Sequence, residues 1–158
     1  MIPLKNPYAA LEGYHCFGCS PHNPDGLQMQ FFEEGEFIVS NWHPGPRYQG
    51  FVDVLHGGIQ ATLMDEIASW VVFVKLGTAG MTYRMSTRYK APVRISRGAI
   101  TLRARLKEGR RRVASIEVVL EDGEGNLCSE SSVEYFVLPR EKAKLDLHYP
   151  GKDAFYQE

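Results

Sequence analysis

His56, Gly57 and Gly58 stand in a row just before a run of helical periodicity, and Asp65 follows His56 by nine residues. At a helix N-terminus the first backbone N–H groups lack intrahelical partners, and the helix dipole is positive there. Glycines at that point leave the N–H cluster open to close approach by a ligand oxygen. Such a cluster can act as an oxyanion hole, polarising a carbonyl whose oxygen turns negative under attack. The same glycines equally serve tight packing where the helix begins. Asp65 brings a carboxylate able to work as a general base or as a nucleophile. Nine residues make two and a half turns, so His56 and Asp65 face opposite ways, about 13.5 Å apart along the axis. One helix cannot aim both at one small substrate. The spacing therefore predicts an active site shared by two antiparallel helices, with Asp65 of one subunit facing Gly57 of the other. Glu66 sits about 100° round the helix from Asp65 and ranks below it.

The element carrying these residues is a long helix. Ile59, Leu63, Ile67, Trp70, Val71 and Val74 keep helical spacing, and Met64, Ala68, Val72 and Phe73 fill much of the remaining circumference. A helix apolar nearly all round is buried on nearly every side. Lys75-Leu76-Gly77 provides a stop, a cation followed by a glycine. Around the helix the pattern is that of strands. Residues 27–32 and 37–42 flank Glu33-Glu34-Gly35-Glu36 as a hairpin. Positions 43–54, rich in Pro and Gly, form a loop feeding the helix. Residues 81–90 alternate with period two, and runs at 101–106, 113–120 and 127–138, joined by tight turns, form a meander. The expected class is α+β: one central helix wrapped by an antiparallel sheet of about five to six strands. The expected organisation is a lead-in with a cysteine loop at 1–26, a core domain at 27–138 and an extension at 139–158 without assigned structure. One helix cannot cover both faces of a long sheet, so a homodimer is expected.

With 158 residues, 44% of them hydrophobic, the chain is long enough to bury a core of its own. The apolar blocks are too short to span a bilayer, and the first residues lack the apolar region of a signal peptide. Three cysteines, an odd number, speak against a secreted disulfide framework, so a cytoplasmic protein is expected. Cys16-Phe17-Gly18-Cys19 lies among turn formers and reads best as a packed, reduced cysteine loop. It is also half a zinc site, with His15 or His22 as further ligands, but no second pair completes a set, so no metal is assigned. A redox motif is the remaining alternative. Net charge is −1, yet positions 88–112 hold ten basic residues and one acid, Glu108. Part of that charge reads as solvated strand faces and part as a footprint for an anionic partner such as a polyphosphate. Nucleic acid is disfavoured, because the chain is slightly acidic overall and no nucleic-acid module is legible.

Taken together, several motifs resemble the hotdog-fold acyl-CoA thioesterases of the phenylacetate-pathway (PaaI-like) type. They are Cys16-Phe17-x-Cys19 with Asn23-Pro24-x-Gly26-Leu27, Tyr48-Gln49-Gly50, His56-Gly57-Gly58, Asp65-Glu66 and the strand from Thr82 to Val93 ending Tyr89-Lys90-Ala91-Pro92. The resemblance covers residues 16–138 and implies a hotdog fold, a homodimer that often pairs into a homotetramer, and hydrolysis of a coenzyme A thioester with no further cofactor. By that resemblance Gly57 N–H polarises the thioester carbonyl, with Gly58 beside it in the substrate-binding loop. His56 supports the loop near the carbonyl or sulfur, Asp65 is nucleophile or base, and Thr82 orients the water or the carboxylate. Many relatives carry an Asn or Gln six residues before the histidine. Here that position is Gly50, and Gln49 takes the role if the loop shifts by one residue. Arg94, Arg97, Arg110, Arg111 and Arg112 are the cations available to the coenzyme A phosphates. The alternatives are a non-catalytic acyl-CoA-binding hotdog module and, ranked lower, a hotdog hydratase or dehydratase.

Overall fold

The periodic run at the centre of the sequence folds as α1, Gly57–Val71, and continues as a π-helical turn, Val72–Leu76, before Gly77 ends it at φ +66°. The structure, a computed structural model, describes residues 1–156. The left-handed backbone at Gly77 is the conformation glycine adopts at least cost, so the helix stops where the sequence places its stop. Leu63, Met64, Ile67, Ala68 and Val71 of α1 are fully buried. Each of these side chains other than Ala68 contributes about 1.5–3 kcal/mol by leaving water. Truncating Leu63 to alanine would cost about 2–5 kcal/mol.

The sheet that wraps α1 is antiparallel throughout. Its strands are β1 (Ile2–Pro3), β2 (Phe32–Glu34), β3 (Phe37–Trp42), β4 (Gly80–Tyr89), β5 (Ile100–Arg110), β6 (Val113–Glu121) and β7 (Leu127–Val137). They lie in the order β1-β2-β3-β5-β6-β7-β4. Period-two alternation decides what faces the helix. Leu102 and Ala104 of β5 and Ala114, Ile116, Val118 and Leu120 of β6 are buried, while Arg103 and Arg105 project from the outer face into ion pairs. Gly80 opens β4 where a Cβ would lie 2.1 Å from the Phe136 carbonyl oxygen, so only glycine lets β4 close onto β7 there. β4 ends the strand order and has one long edge without a neighbouring strand among the described residues. Unpaired backbone groups along ten residues make it an adhesive edge.

Two expectations need correction. The sheet has seven strands rather than five or six, because the N-terminus adds β1 against β2. The first strand of the early hairpin begins at Phe32, and residues 27–31 are irregular, although Leu27, Met29 and Phe31 are buried. The C-terminal extension, whose last two residues lie outside the described ones, forms α2 (Arg140–Leu147) and a 3-10 turn, Lys152–Phe155. Arg140 Nε donates to the Gly77 carbonyl at 3.0 Å. Phe155 packs with Tyr8, Trp70, Phe73 and Tyr149. The lead-in and the extension therefore cover the C-terminal end of α1 together. No helix among the described residues is long and apolar enough to cross a membrane.

Candidate active site

His56 caps α1: its backbone is extended, and its Nδ1 accepts from Gly58 N–H at 2.9 Å. The ring thereby consumes one of the free donors at the helix start. The Gly57 N–H has no acceptor among the described residues and remains available. Tyr89, at the end of β4, donates its hydroxyl to the Gly57 carbonyl at 2.7 Å and lays its ring beside the glycine. Strand β4 therefore fixes the orientation of this peptide. Gln49, Gly50, Leu55, His56, Gly57, Gln60 and Tyr89 line one open cavity of about 670 Å³.

The loop amide is only half as expected. Gln49 is in the cavity wall, but its Oε1 accepts from Asp53 N–H at 3.3 Å. Gly50 faces the histidine: a Cβ there would stand 3.5 Å from the His56 Cα and ring. An amide side chain at position 50 would lie over His56, and in this chain that space is left free.

Asp65 is half-buried and sits apart from this cavity, as the helical spacing requires. Its Oδ1 accepts from Thr82 Oγ1 at 2.9 Å and from the Tyr135 hydroxyl at 2.7 Å. The Tyr135 hydroxyl also reaches the Asp65 carbonyl at 2.8 Å, and Oδ2 has no partner among the described residues. Burial, with the Asp65 charge adding to it, holds the Tyr135 hydroxyl protonated well above the ordinary tyrosine range. Tyr135 thus acts as a hydrogen-bond donor fixing the carboxylate. The sequence reading did not single it out. Its signal was the alternation in β7, which puts Tyr135 on the same inward face as Val133. Thr82 precedes a register shift of β4 against β7, a bulge at Tyr83 that re-aims the strand near the carboxylate.

Glu66 points the other way, toward Cys16, with Sγ to Oε1 at 3.5 Å. Burial, then the neighbouring cysteine, raises its carboxyl to about 8. It takes no part in the Asp65 cluster.

The basic segment divides in two. Lys90, Arg97, Arg103, Arg105, Lys107 and Arg110 all pair with carboxylates, among them Glu130, Asp122, Glu34, Glu36, Glu117 and Glu108. Arg97 is bound to Asp122 at 2.9 Å, so of the expected phosphate-binding arginines it is a structural one. Arg94 sits in an isolated bridge with Val54. Arg111 and Arg112, without a carboxylate partner among the described residues, line an open depression at the Thr82 end of β4 together with the ion pairs Arg84–Glu134 and Arg110–Glu108. They are not near His56 of the same chain.

A sheet folded round one central helix, with a free Gly57 N–H at the helix start and a carboxylate held about two turns further on, is the hotdog arrangement. The comparisons agree. Residues 53–129 match the model of the thioesterase superfamily. An uncharacterized protein of Schizosaccharomyces pombe is 30% identical over 137 residues, covering 83% of this chain and 76% of that protein. The crystal structure of a thioesterase superfamily protein superposes with a TM-score of 0.67 at 24% identity over 74% of this chain, which spans 57% of that structure's length. A hypothetical thioesterase from Streptococcus pneumoniae, crystallised with coenzyme A, superposes at TM-score 0.65 and 20% identity, over 71% of this chain and 87% of that one. The chain belongs to the thioesterase superfamily.

Proposed function

We propose that the protein is an acyl-CoA thioesterase whose active site is completed across a homodimer. The observation that carries this reading is the pairing of two halves that one chain holds apart: a free Gly57 N–H at the positive end of α1, and an Asp65 carboxylate with one oxygen fixed and one free. The β4 edge offers the means of joining them. Thr82 and Tyr89 are seven residues apart, about 23 Å along a strand. Antiparallel pairing of two β4 edges about a dyad between Met85 and Ser86 would place Thr82 of one subunit opposite Tyr89 of the other. Asp65 would then approach the partner subunit's Gly57. The same pairing would bring Arg84 and Arg110–Arg112 beside the partner's cavity, where pyrophosphate and nucleotide phosphates need cations. Exposed Met81, Tyr83 and Tyr89 along the edge fit burial between copies.

In that site the Gly57 N–H donates to the thioester carbonyl oxygen. The Asp65 free oxygen takes a proton from water, and the hydroxide adds to the carbonyl carbon. As the tetrahedral intermediate collapses the C–S bond breaks, and the thiolate recovers the proton from Asp65. The products are a free acid and coenzyme A. Direct attack by Asp65 through an anhydride is the variant of the same arrangement. Coenzyme A in the Streptococcus pneumoniae relative supports the substrate class.

A second reading, a module that binds acyl-CoA without turning it over, is favoured by one observation: no amide side chain occupies the space over His56 that Gly50 leaves open. Free-thiol release from a panel of acyl- and aryl-CoA thioesters, with Asp65→Ala alongside, separates the two. Turnover abolished in the variant while the dimer persists supports the enzyme. Saturable thioester binding with no turnover on any substrate supports the module.

A further inference from the structure

The cysteine loop has a third member that its own sequence neighbourhood does not reveal. Cys16 Sγ lies 3.7 Å from Cys19 Sγ and 3.5 Å from Glu66 Oε1, and the three donor atoms all fall within 4.8 Å of one another. A tetrahedral zinc ion with bonds of about 2.3 Å to sulfur and about 2.0 Å to oxygen separates its ligands by about 3.8 Å (S to S) and about 3.5 Å (S to O). The two edges that meet at Cys16, 3.7 Å to Cys19 and 3.5 Å to Glu66, match these values.

The loop is shaped for this. Ser20 N–H donates to the Cys16 carbonyl at 3.1 Å, a turn that presents both sulfurs to one side. Gly18 leaves room for the carboxylate: a Cβ there would be 2.5 Å from the Glu66 carboxyl carbon and would push it away from the sulfurs. Hydrogen bonds from Leu27 N–H to the Phe17 carbonyl, 2.7 Å, and from Met29 N–H to the Gly18 carbonyl, 3.0 Å, lock the loop from behind. Asn6 Nδ2 and the Tyr14 hydroxyl approach Cys19 Sγ at 3.5 and 3.1 Å, as outer partners that orient a ligating thiolate.

We propose that Cys16, Cys19 and Glu66 bind a zinc ion, with water in the fourth position, clamping the N-terminal loop to the middle of α1. The ligand set of two thiolates and a carboxylate selects zinc over magnesium or calcium. A Cys16–Cys19 disulfide fits less well, because it would leave Glu66, whose partners among the described residues are these two sulfurs, without a donor in a part-buried position. The clamp fixes the residue next to Asp65, so it belongs to the scaffold of the active site and does not depend on the thioesterase reading.

The test is metal content by plasma mass spectrometry on reduced protein reconstituted with zinc(II) and freed of excess by buffer exchange. The expected result is one zinc per chain, lost in Cys16→Ser, Cys19→Ser and Glu66→Gln and kept in Cys128→Ser. Cobalt(II) in place of zinc should give a thiolate-to-metal charge-transfer band that the first two variants lack. Zinc(II) should raise the melting temperature of the parent protein but not of Glu66→Gln. Two outcomes would overturn the site, and both are read on the unaltered chain. One is zinc far below one per chain with Cys16 and Cys19 both freely titratable. The other is a Cys16–Cys19 disulfide as the main species in protein isolated under thiol-blocking conditions.

Discussion

Gly57→Pro removes one hydrogen-bond donor and little else. Gly57 is the first residue of α1, the helical position at which proline is best tolerated, since its missing N–H has no intrahelical partner. The preceding residue must be extended, and His56, at φ −58° and ψ 134°, already is. A Cβ at position 57 would meet the Tyr89 ring at 3.5 Å, ordinary van der Waals contact. The His56 cap uses Gly58 N–H and is untouched. The fold should therefore hold, and the unfolded chain loses freedom, a gain of about 0.4–1 kcal/mol. Catalysis should not hold. Deleting one oxyanion donor costs about 10²- to 10³-fold in kcat, roughly 2.7–4 kcal/mol. The assay is steady-state thiol release on the best acyl-CoA substrate, with the melting temperature measured on the same preparation. A fall of that size in kcat at unchanged or higher melting temperature is expected. A variant that melts like the parent and retains its kcat would refute the role given to the Gly57 N–H.

Tyr135→Phe removes the hydroxyl that holds Asp65 and should cost about 1–2 kcal/mol in urea unfolding, with kcat lowered more than KM is raised; equal activity would remove Tyr135 from the site. His56→Ala deletes the N-cap of α1 and should lower stability by about 1 kcal/mol, read as a shift in the urea midpoint at constant slope. Asp122 is buried, which opposes its charge, but donors from Asn126, Arg97 and Glu124 prevail and hold its carboxyl well below the usual range. Its folded value lies under the unfolded value of about 3.9, so its stabilisation is complete above that pH and is lost as pH falls below it. Urea midpoints should thus drop more steeply below about pH 4 in the parent than in Asp122→Asn; parallel curves would contradict the assignment.

The central helix was legible because burial on all sides writes itself into one continuous stretch, and Gly77 marks its end by a backbone demand only glycine meets cheaply. The opposed placement of His56 and Asp65 followed from helical geometry alone. Tyr135 was hidden because its partner lies seventy positions away, and only the β4–β7–α1 contact brings the hydroxyl to Asp65. Glu66 was hidden from the cysteines for the same reason, fifty positions apart. The basic segment promised more free charge than the fold leaves, since acids on neighbouring strands, Glu34 and Glu117, and Glu36 in the β2–β3 turn neutralise arginines that look unpaired along the chain. Helix α2 is polar on most of its surface and gave no periodic signal. It forms where Ala143 packs and Arg140 reaches back to Gly77.

The shared active site is tested most directly by complementation between two inactive variants, Asp65→Ala and Gly57→Pro. Dissociated and reassociated in equal amounts, half of the dimers are mixed, and each mixed dimer holds one site with both lesions and one with neither. The account predicts that activity returns to about a quarter of the parent's sites, while either variant alone stays inactive. No recovery, in a mixture shown to exchange subunits, would place His56, Gly57 and Asp65 of one chain in one site and contradict the account.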